Sequence, residues 1–208
     1  MASPITHIIL TAKIFDNFFK DRNKKEFFVG TCLPDIRYLK VIEREKTHFE
    51  NIKMNDLKKE NSFLAGLKFH SIVDQVREDF IVKNNTYKLF PQSRFSLLGL
   101  KLAEDRILYN HVQNWQEYID YFNDILIDEI NLGLKKEDIK KWHTMLQQLF
   151  SHYPNKKSIQ NFSSKIFFSN QDIDEFDKIA TQLSTDKKII NIIENLYNNF
   201  DTLIKNYK

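Results

Sequence analysis

From Ile5 onward apolar residues return three and four positions apart, at Ile5, Ile8, Ile9, Ala12, Phe15 and Phe19, the spacing of one face of an α-helix. Ser3 followed by Pro4 supplies an N-cap and a first-turn proline. A second stripe of His7, Thr11, Ile14 and Phe18 runs beside the first, so this helix is expected to be buried on more than one side. A polar connection over 20–25 leads to a short apolar segment over 26–33. That segment should stop at Pro34, because the residue before a proline is pushed out of the helical region. Residues 36–60 keep no sustained period: Tyr38, Val41, Ile42 and Thr47-His48-Phe49 punctuate a charged stretch that reads as loop. Asn61 or Ser62 then opens a long helix to about residue 80, on which Phe63, Leu67, His70, Asp74 and Arg77 share a face.

The second half continues in helical periods. A loop over 84–93 containing Pro91 precedes a strongly apolar helix over 95–112 that carries Glu104, Asp105 and His111. Asn114 with Glu117 makes a capping-box-like start for a helix running to residue 130, and Gly133 is its expected C-cap. Amphipathic segments follow over 136–152, 157–168, 170–183 and 185–206. No internal repeat or linker divides the chain. Only 4 glycines and 4 prolines occur in 208 residues, too few for the tight turns of an all-β protein. The expectation is an all-α, single-domain multi-helix bundle over 1–208.

Composition changes this picture little. The 31 basic and 28 acidic residues nearly cancel, and no basic stripe points to nucleic acid. A single cysteine, Cys32, excludes an intramolecular disulfide and fits a reducing compartment. The N-terminus has no basic region followed by an apolar one, and no run of apolar residues is long enough to span a bilayer. A cytoplasmic protein is expected.

Candidate chemistry sits where the pattern calls for apolar residues. In the first third these positions hold His7, Asp35, His48, His70 and Asp74. The pair His70 and Asp74 is spaced i, i+4, which stacks an imidazole and a carboxylate one turn apart, close enough to share an ion. Each residue alone has an ordinary reading: a hydrogen-bonded core histidine, a turn aspartate after proline, a surface pair. Only the joint arrangement points to metal. Glu104 and Asp105 lie among Leu97, Leu98, Leu100, Leu102, Ile107 and Leu108. An unpartnered carboxylate there would be costly, so a metal, Arg106 or Lys101 is the expected partner. Arg37 and Arg77 neighbour the candidate ligands and suit either substrate phosphate or a charge-neutralising role. His143 and His152 read as packing or surface residues.

The order of these pieces carries a resemblance. Ser3-Pro-Ile-Thr-His7, Phe28 to Tyr38 with Pro34-Asp35, Thr47-His48, and Phe63 to Asp74 with His70-x-x-x-Asp74 together resemble the zinc-dependent phospholipase C family and the related zinc nucleases, over about residues 3–80. The resemblance implies that family's all-helical fold. It implies a metal-site half over 1–112, with a helical C-terminal half over 113–208. It makes His7, Asp35, His48, His70 and Asp74 zinc ligands, with Asp74 able to bridge two ions. The family's further histidine beyond the His-x-x-x-Asp pair is absent, and so is its later His-x-x-x-Glu pair: Trp115 stands four residues after His111. One or two ions are therefore expected, with Glu104 or Asp105 as substitute ligands. The implied function is metal-dependent hydrolysis of a phosphoester by an activated water. Asp35 would be ligand or general base, Arg37 and Arg77 would contact the substrate, and a small phosphoester or phospholipid head group would be the partner. The alternative is a non-catalytic helical binding protein that keeps a structural metal. An HD-type phosphohydrolase is set aside, because no adjacent His-Asp doublet exists.

Overall fold

The computed structural model describes residues 2–163 and 168–207, and among them every regular element is helical. Helix α1 (Pro4–Phe18) is capped by the Ser3 hydroxyl, which accepts from the Thr6 N–H at 3.1 Å. Both of its stripes are covered: Pro4 to Thr11 are all buried. It touches α2 (Lys24–Cys32), α3 (Ser62–Lys83), α4 (Ser96–Leu108), α7 (Lys136–Phe150) and α10 (Lys187–Lys205). Phe15, Phe19, Phe27 and Phe69 interlock beside it with ring centroids 4.4–6.3 Å apart, within the range of favourable aromatic pairs.

Helices α2 and α3 cross at backbone contact. A Cβ on Gly66 would lie 2.0 Å from the Phe27 carbonyl oxygen, and one on Gly30 would lie 2.1 Å from that of Phe63. Two glycines facing each other's backbone are what permit this approach.

The chain after α2 departs from expectation. Helix α2 ends at Cys32, but Pro34 falls in the first turn of a tighter helix over Leu33–Leu39, where its missing N–H is no loss. Leu33 stays helical at φ −68°, ψ −38°; burial of Leu33, Pro34 and Ile36 holds it there against the local preference. Two further short turns, Arg44–Lys46 and Met54–Lys59, order the segment expected as loop. The Arg22 guanidinium ties the second of these to the end of α1 by donating to the carbonyls of Leu57 and Glu60.

The expected helix over 95–112 closes early, at Leu108, and ends in a single turn over Tyr109–His111. The expected helix over 114–130 is two helices, α5 (Trp115–Asp120) and α6 (Ile127–Asn131). Glu117 does not cap α5, because Lys24 and Tyr121 hold its carboxylate. Glu129 caps α6 instead. One oxygen accepts from the Leu126 N–H at 2.8 Å, and the other lies 2.8 Å from His143 Nε2. Gly133 follows at φ +83°, as its position after a helix predicts.

Helices α8 (Lys156–Ser163) and α9 (Asn170–Thr185) come next, and residues 164–167 of the helix expected over 157–168 lie outside the described residues. Helix α9 lies along α4, and α10 packs on α1, α3, α4 and α9. Apolar burial is continuous from Ile5 on α1 to Ile204 on α10. Among the described residues no helix is long and apolar enough to cross a membrane.

The glycine crossing yields a direct test. Gly66→Ala must force α2 and α3 apart, and is expected to cost about 3 kcal/mol in urea melts. Gly133→Asn, at a helix end with open space around it, should cost under about 1 kcal/mol. Equal losses in the two variants would refute the close-contact account.

Candidate metal centre

Four elements bring the five candidate ligands together. His7 comes from the second turn of α1, Asp35 from the turn after α2, His48 from the loop before α3, and His70 and Asp74 from successive turns of α3. All five are buried. Their ligand atoms form two overlapping groups, His7–His70–Asp74 and Asp35–His48–His70, and within each group these atoms lie within 4.8 Å of one another.

The backbone decides which imidazole nitrogen faces the centre. His70 Nδ1 lies 2.9 Å from the Thr31 carbonyl oxygen, and His7 Nδ1 lies 2.9 Å from that of Ser3. A carbonyl can only accept, so both Nδ1 atoms carry the proton and both Nε2 atoms present a lone pair. Thr31 is in the last turn of α2, where carbonyls lack helical partners, and Pro34 three residues on has no N–H to offer. His48 is held through a hydroxyl, which can accept from a ring N–H or donate to a ring nitrogen. Its Nδ1 lies 3.1 Å from the Thr47 hydroxyl, which in turn donates toward the Arg44 and Pro34 carbonyls. The Ser71 hydroxyl accepts from the Phe49 N–H at 2.9 Å and pins that loop to α3.

The two Nε2 atoms face each other, His48 Nε2 lying 3.2 Å from the His70 Nε2 lone pair, a spacing that suits either a shared proton or a shared metal ion. His70 Nε2 is also 3.5 Å from Asp74 Oδ2, and His7 Nε2 is 3.5 Å from Asp74 Oδ1. Tetrahedral coordination with bonds near 2.0–2.1 Å separates neighbouring ligand atoms by about 3.3–3.4 Å, so these spacings fit a ligand cage. His7 Nε2, fully buried, has no hydrogen-bond partner among the described residues, and the His7 and His70 rings stack 3.9 Å apart at 4°.

The electrostatics agree with neutral imidazoles around an ionised carboxylate. Burial, reinforced by His70, lowers the His7 imidazole to about 4 and that of His48 to about 3. Burial also lowers His70. Burial alone would raise Asp74, but His70, His7 and the Ala2 N–H, which donates to Oδ1 at 2.6 Å, hold it below the usual carboxylate range. Asp35 is shifted the other way, upward, by burial. Metal ligation requires imidazoles deprotonated and carboxylates ionised, so only Asp35 needs the ion's own charge to reach its ligand form.

The remaining candidates lie elsewhere. Glu104 belongs to neither group; it is clasped by Arg77, whose Nη2 donates at 2.6 Å and Nε at 3.1 Å. Its partner is thus an arginine from α3, neither Arg106 nor Lys101, and Arg106 bonds Asp177 and the Pro154 carbonyl. The same clasp takes Arg77 out of reach of a substrate: its guanidinium is buried, and its third donor goes to Glu78. Asp105 accepts from the Ser3 and Thr6 hydroxyls on one oxygen, which holds the first turn of α1 in place. Arg37 lies 4.5 Å over the Tyr38 ring and donates to its hydroxyl. Arg44 was not among the residues singled out from the sequence. It lines, with His48, Asn51, Ser71, Asp74 and Tyr207, a cleft of about 420 Å³; its place four residues before His48 was the one available signal.

Neutral buried imidazoles set a pH dependence for the metal-free protein. A histidine whose folded pKa is depressed gives its full contribution above the unfolded value of 6.5. It loses that contribution as pH falls, because only the unfolded chain then takes up the proton. Between pH 7 and 5 this costs about 2 kcal/mol for His7, from its shift to about 4. Chelator-treated His7→Gln should therefore lose about 2 kcal/mol less than the parent across that interval in denaturant titrations, and parallel pH profiles would contradict the assignment.

No protein-family model, no curated protein and no solved structure matches the chain.

Proposed function

We propose that this chain is a metal-dependent hydrolase acting on a phosphoester, with the His/Asp cluster as its metal centre. The observation that carries the reading is the convergence of the His7, His48 and His70 Nε2 atoms and the Asp74 oxygens at 3.2–3.5 Å, with the His7 and His70 Nδ1 atoms engaged by backbone carbonyls behind them. Asp35, His48 and His70, with Asp74 Oδ2, would hold one ion. His7 Nε2 and Asp74 Oδ1 offer two ligands toward a second. Zinc is the expected metal, although imidazole and carboxylate ligands also suit iron or manganese.

A bound divalent ion would supply a water of lowered pKa and polarise a phosphoryl oxygen. The chain's own residues supply the rest. His48 and Asp74 reach both the cluster and the cleft, so a substrate in the cleft would meet the centre there. Arg44, exposed on the cleft wall, replaces Arg77 as the residue suited to bidentate contact with phosphate oxygens. Arg37, two residues after Asp35, contributes positive potential at that carboxylate. Asp35 is assigned as ligand and as the carboxylate that takes up a proton during the reaction.

The reaction class and a small phosphoester or phospholipid head group as substrate follow the resemblance to the zinc-dependent phospholipase C family, whose fold this helical bundle is proposed to share. A reducing, cytoplasmic setting is proposed from the single, buried Cys32. The near-complete burial of His7, Asp35 and His70 favours one further reading, a structural metal in a non-catalytic binding protein.

Protein purified without chelator or histidine tag is expected to contain near-stoichiometric zinc, measured by elemental analysis, and His70→Ala and Asp74→Asn should lose it. Thr47→Val, which frees the His48 ring, should weaken metal affinity about tenfold. The parent should hydrolyse bis(p-nitrophenyl) phosphate, and Arg44→Gln should raise KM with metal content unchanged. Metal without turnover would leave the structural role standing. Failure to bind added zinc would remove both readings.

A further inference from the structure

A second cavity, of about 250 Å³, opens against Asp35 and the first turn of α1. It shares none of its lining residues with the cleft that holds Arg44 and His48. Its body is apolar, built by Leu98 and Leu102 of α4, Leu149 of α7, and Phe168 and Phe176. A cavity lined in this way binds water poorly and favours an apolar guest. One wall is different: Asp35, Tyr38, Lys101 and Asp105 stand on it together.

Two of these polar groups are incompletely used. Lys101 makes no hydrogen bond and no ion pair among the described residues, and its charge acts only at longer range on Asp35 and Asp105 of the same wall. Asp105 accepts both of its hydrogen bonds, from Ser3 and Thr6, on Oδ1, leaving Oδ2 for the cavity. Burial pushes its carboxyl up to about 7, so near neutral pH it is available as an O–H donor. An ammonium and a carboxyl O–H on one wall match a head group with two acceptor oxygens and one negative charge. The volume bounds the tail: at about 30 Å³ per water-sized group, it takes about seven or eight carbons beyond a head group held at the polar wall.

We propose that this cavity is a binding site for a single-chain carboxylate of about eight carbons, with its tail among Leu98, Leu102, Leu149, Phe168 and Phe176 and its head between Lys101 and Asp105. The site is separate from the phosphoester reading. It needs no metal, and Asp35 is the one residue common to both.

Titration calorimetry of the full chain with octanoate tests the assignment, with octanol and octyltrimethylammonium as neutral and cationic comparisons. Octanoate should bind saturably at one per chain, with chelator-treated and untreated protein alike. Octanol should bind at least tenfold more weakly and the cation not at all. Lys101→Met should weaken octanoate at least tenfold and leave octanol unchanged. Leu98→Trp should abolish both, with circular dichroism confirming the fold. Asp105→Asn, which keeps an acceptor for Ser3 and Thr6 and a donor for the ligand, should retain octanoate binding. Absence of saturable octanoate binding to the folded parent overturns the proposal. So does octanol binding as tightly as octanoate, or octanoate binding that is indifferent to Lys101→Met.

Discussion

The closeness of α2 to α3 is the constraint on which the centre depends. Without Cβ atoms at Gly30 and Gly66 the two backbones meet, and only at that distance does the Thr31 carbonyl reach His70 Nδ1. That one hydrogen bond fixes the tautomer of the histidine common to both ligand groups, and so the direction of its lone pair. A wider crossing would leave His70 free to turn, and the opposition of His70 to His48 would relax. A packing requirement between helices thus becomes an electronic requirement at the site.

A second dependence runs through the start of α1. Its N-terminal turn faces two carboxylates, Asp74 through the Ala2 N–H and Asp105 through the Ser3 and Thr6 hydroxyls. Negative groups are favoured at a helix N-terminus by its exposed N–H groups and dipole. The same contacts set the depth at which His7 enters the cluster. The Arg77–Glu104 clasp joins α3 to α4 behind them, so the helices that carry Asp74 and Asp105 are themselves coupled. Removing one member of such a buried pair strands the other charge, which is far more costly than the pair is worth.

Much of this was legible in the sequence where local rules apply. The stripes on α1 and α3, the Ser3-Pro4 start, Gly133 and the i, i+4 pair His70 and Asp74 all follow from helical period and capping chemistry. What was not legible depends on partners distant in sequence. Glu104 looked available until Arg77, 27 residues earlier, took it. Glu117 has the spacing of a cap but is drawn off by Lys24, and the cap that operates, Glu129, is completed by His143 from the next helix. Pro34 was read as a stop, and α2 does end at Cys32, but Leu33 keeps helical dihedrals because burial of its neighbours overrides the local preference. The importance of Thr31 and Ser3 lies in their carbonyls, which every residue possesses, so no choice of side chain could announce it.

The clustering of groups from residue 2 to residue 105 at the head of α1 has a consequence for biosynthesis. His7 leaves the ribosome well before the groups that fix its place, since Asp74 and Asp105 are made about seventy and a hundred residues later. At roughly 5–20 residues per second, the nascent apolar helix waits several seconds for its carboxylate anchors. During that interval Ile5, Ile8 and Ile9, fully buried at the end, are open to other partners, so an amino-terminal fusion that slows their docking would be felt first as poor yield.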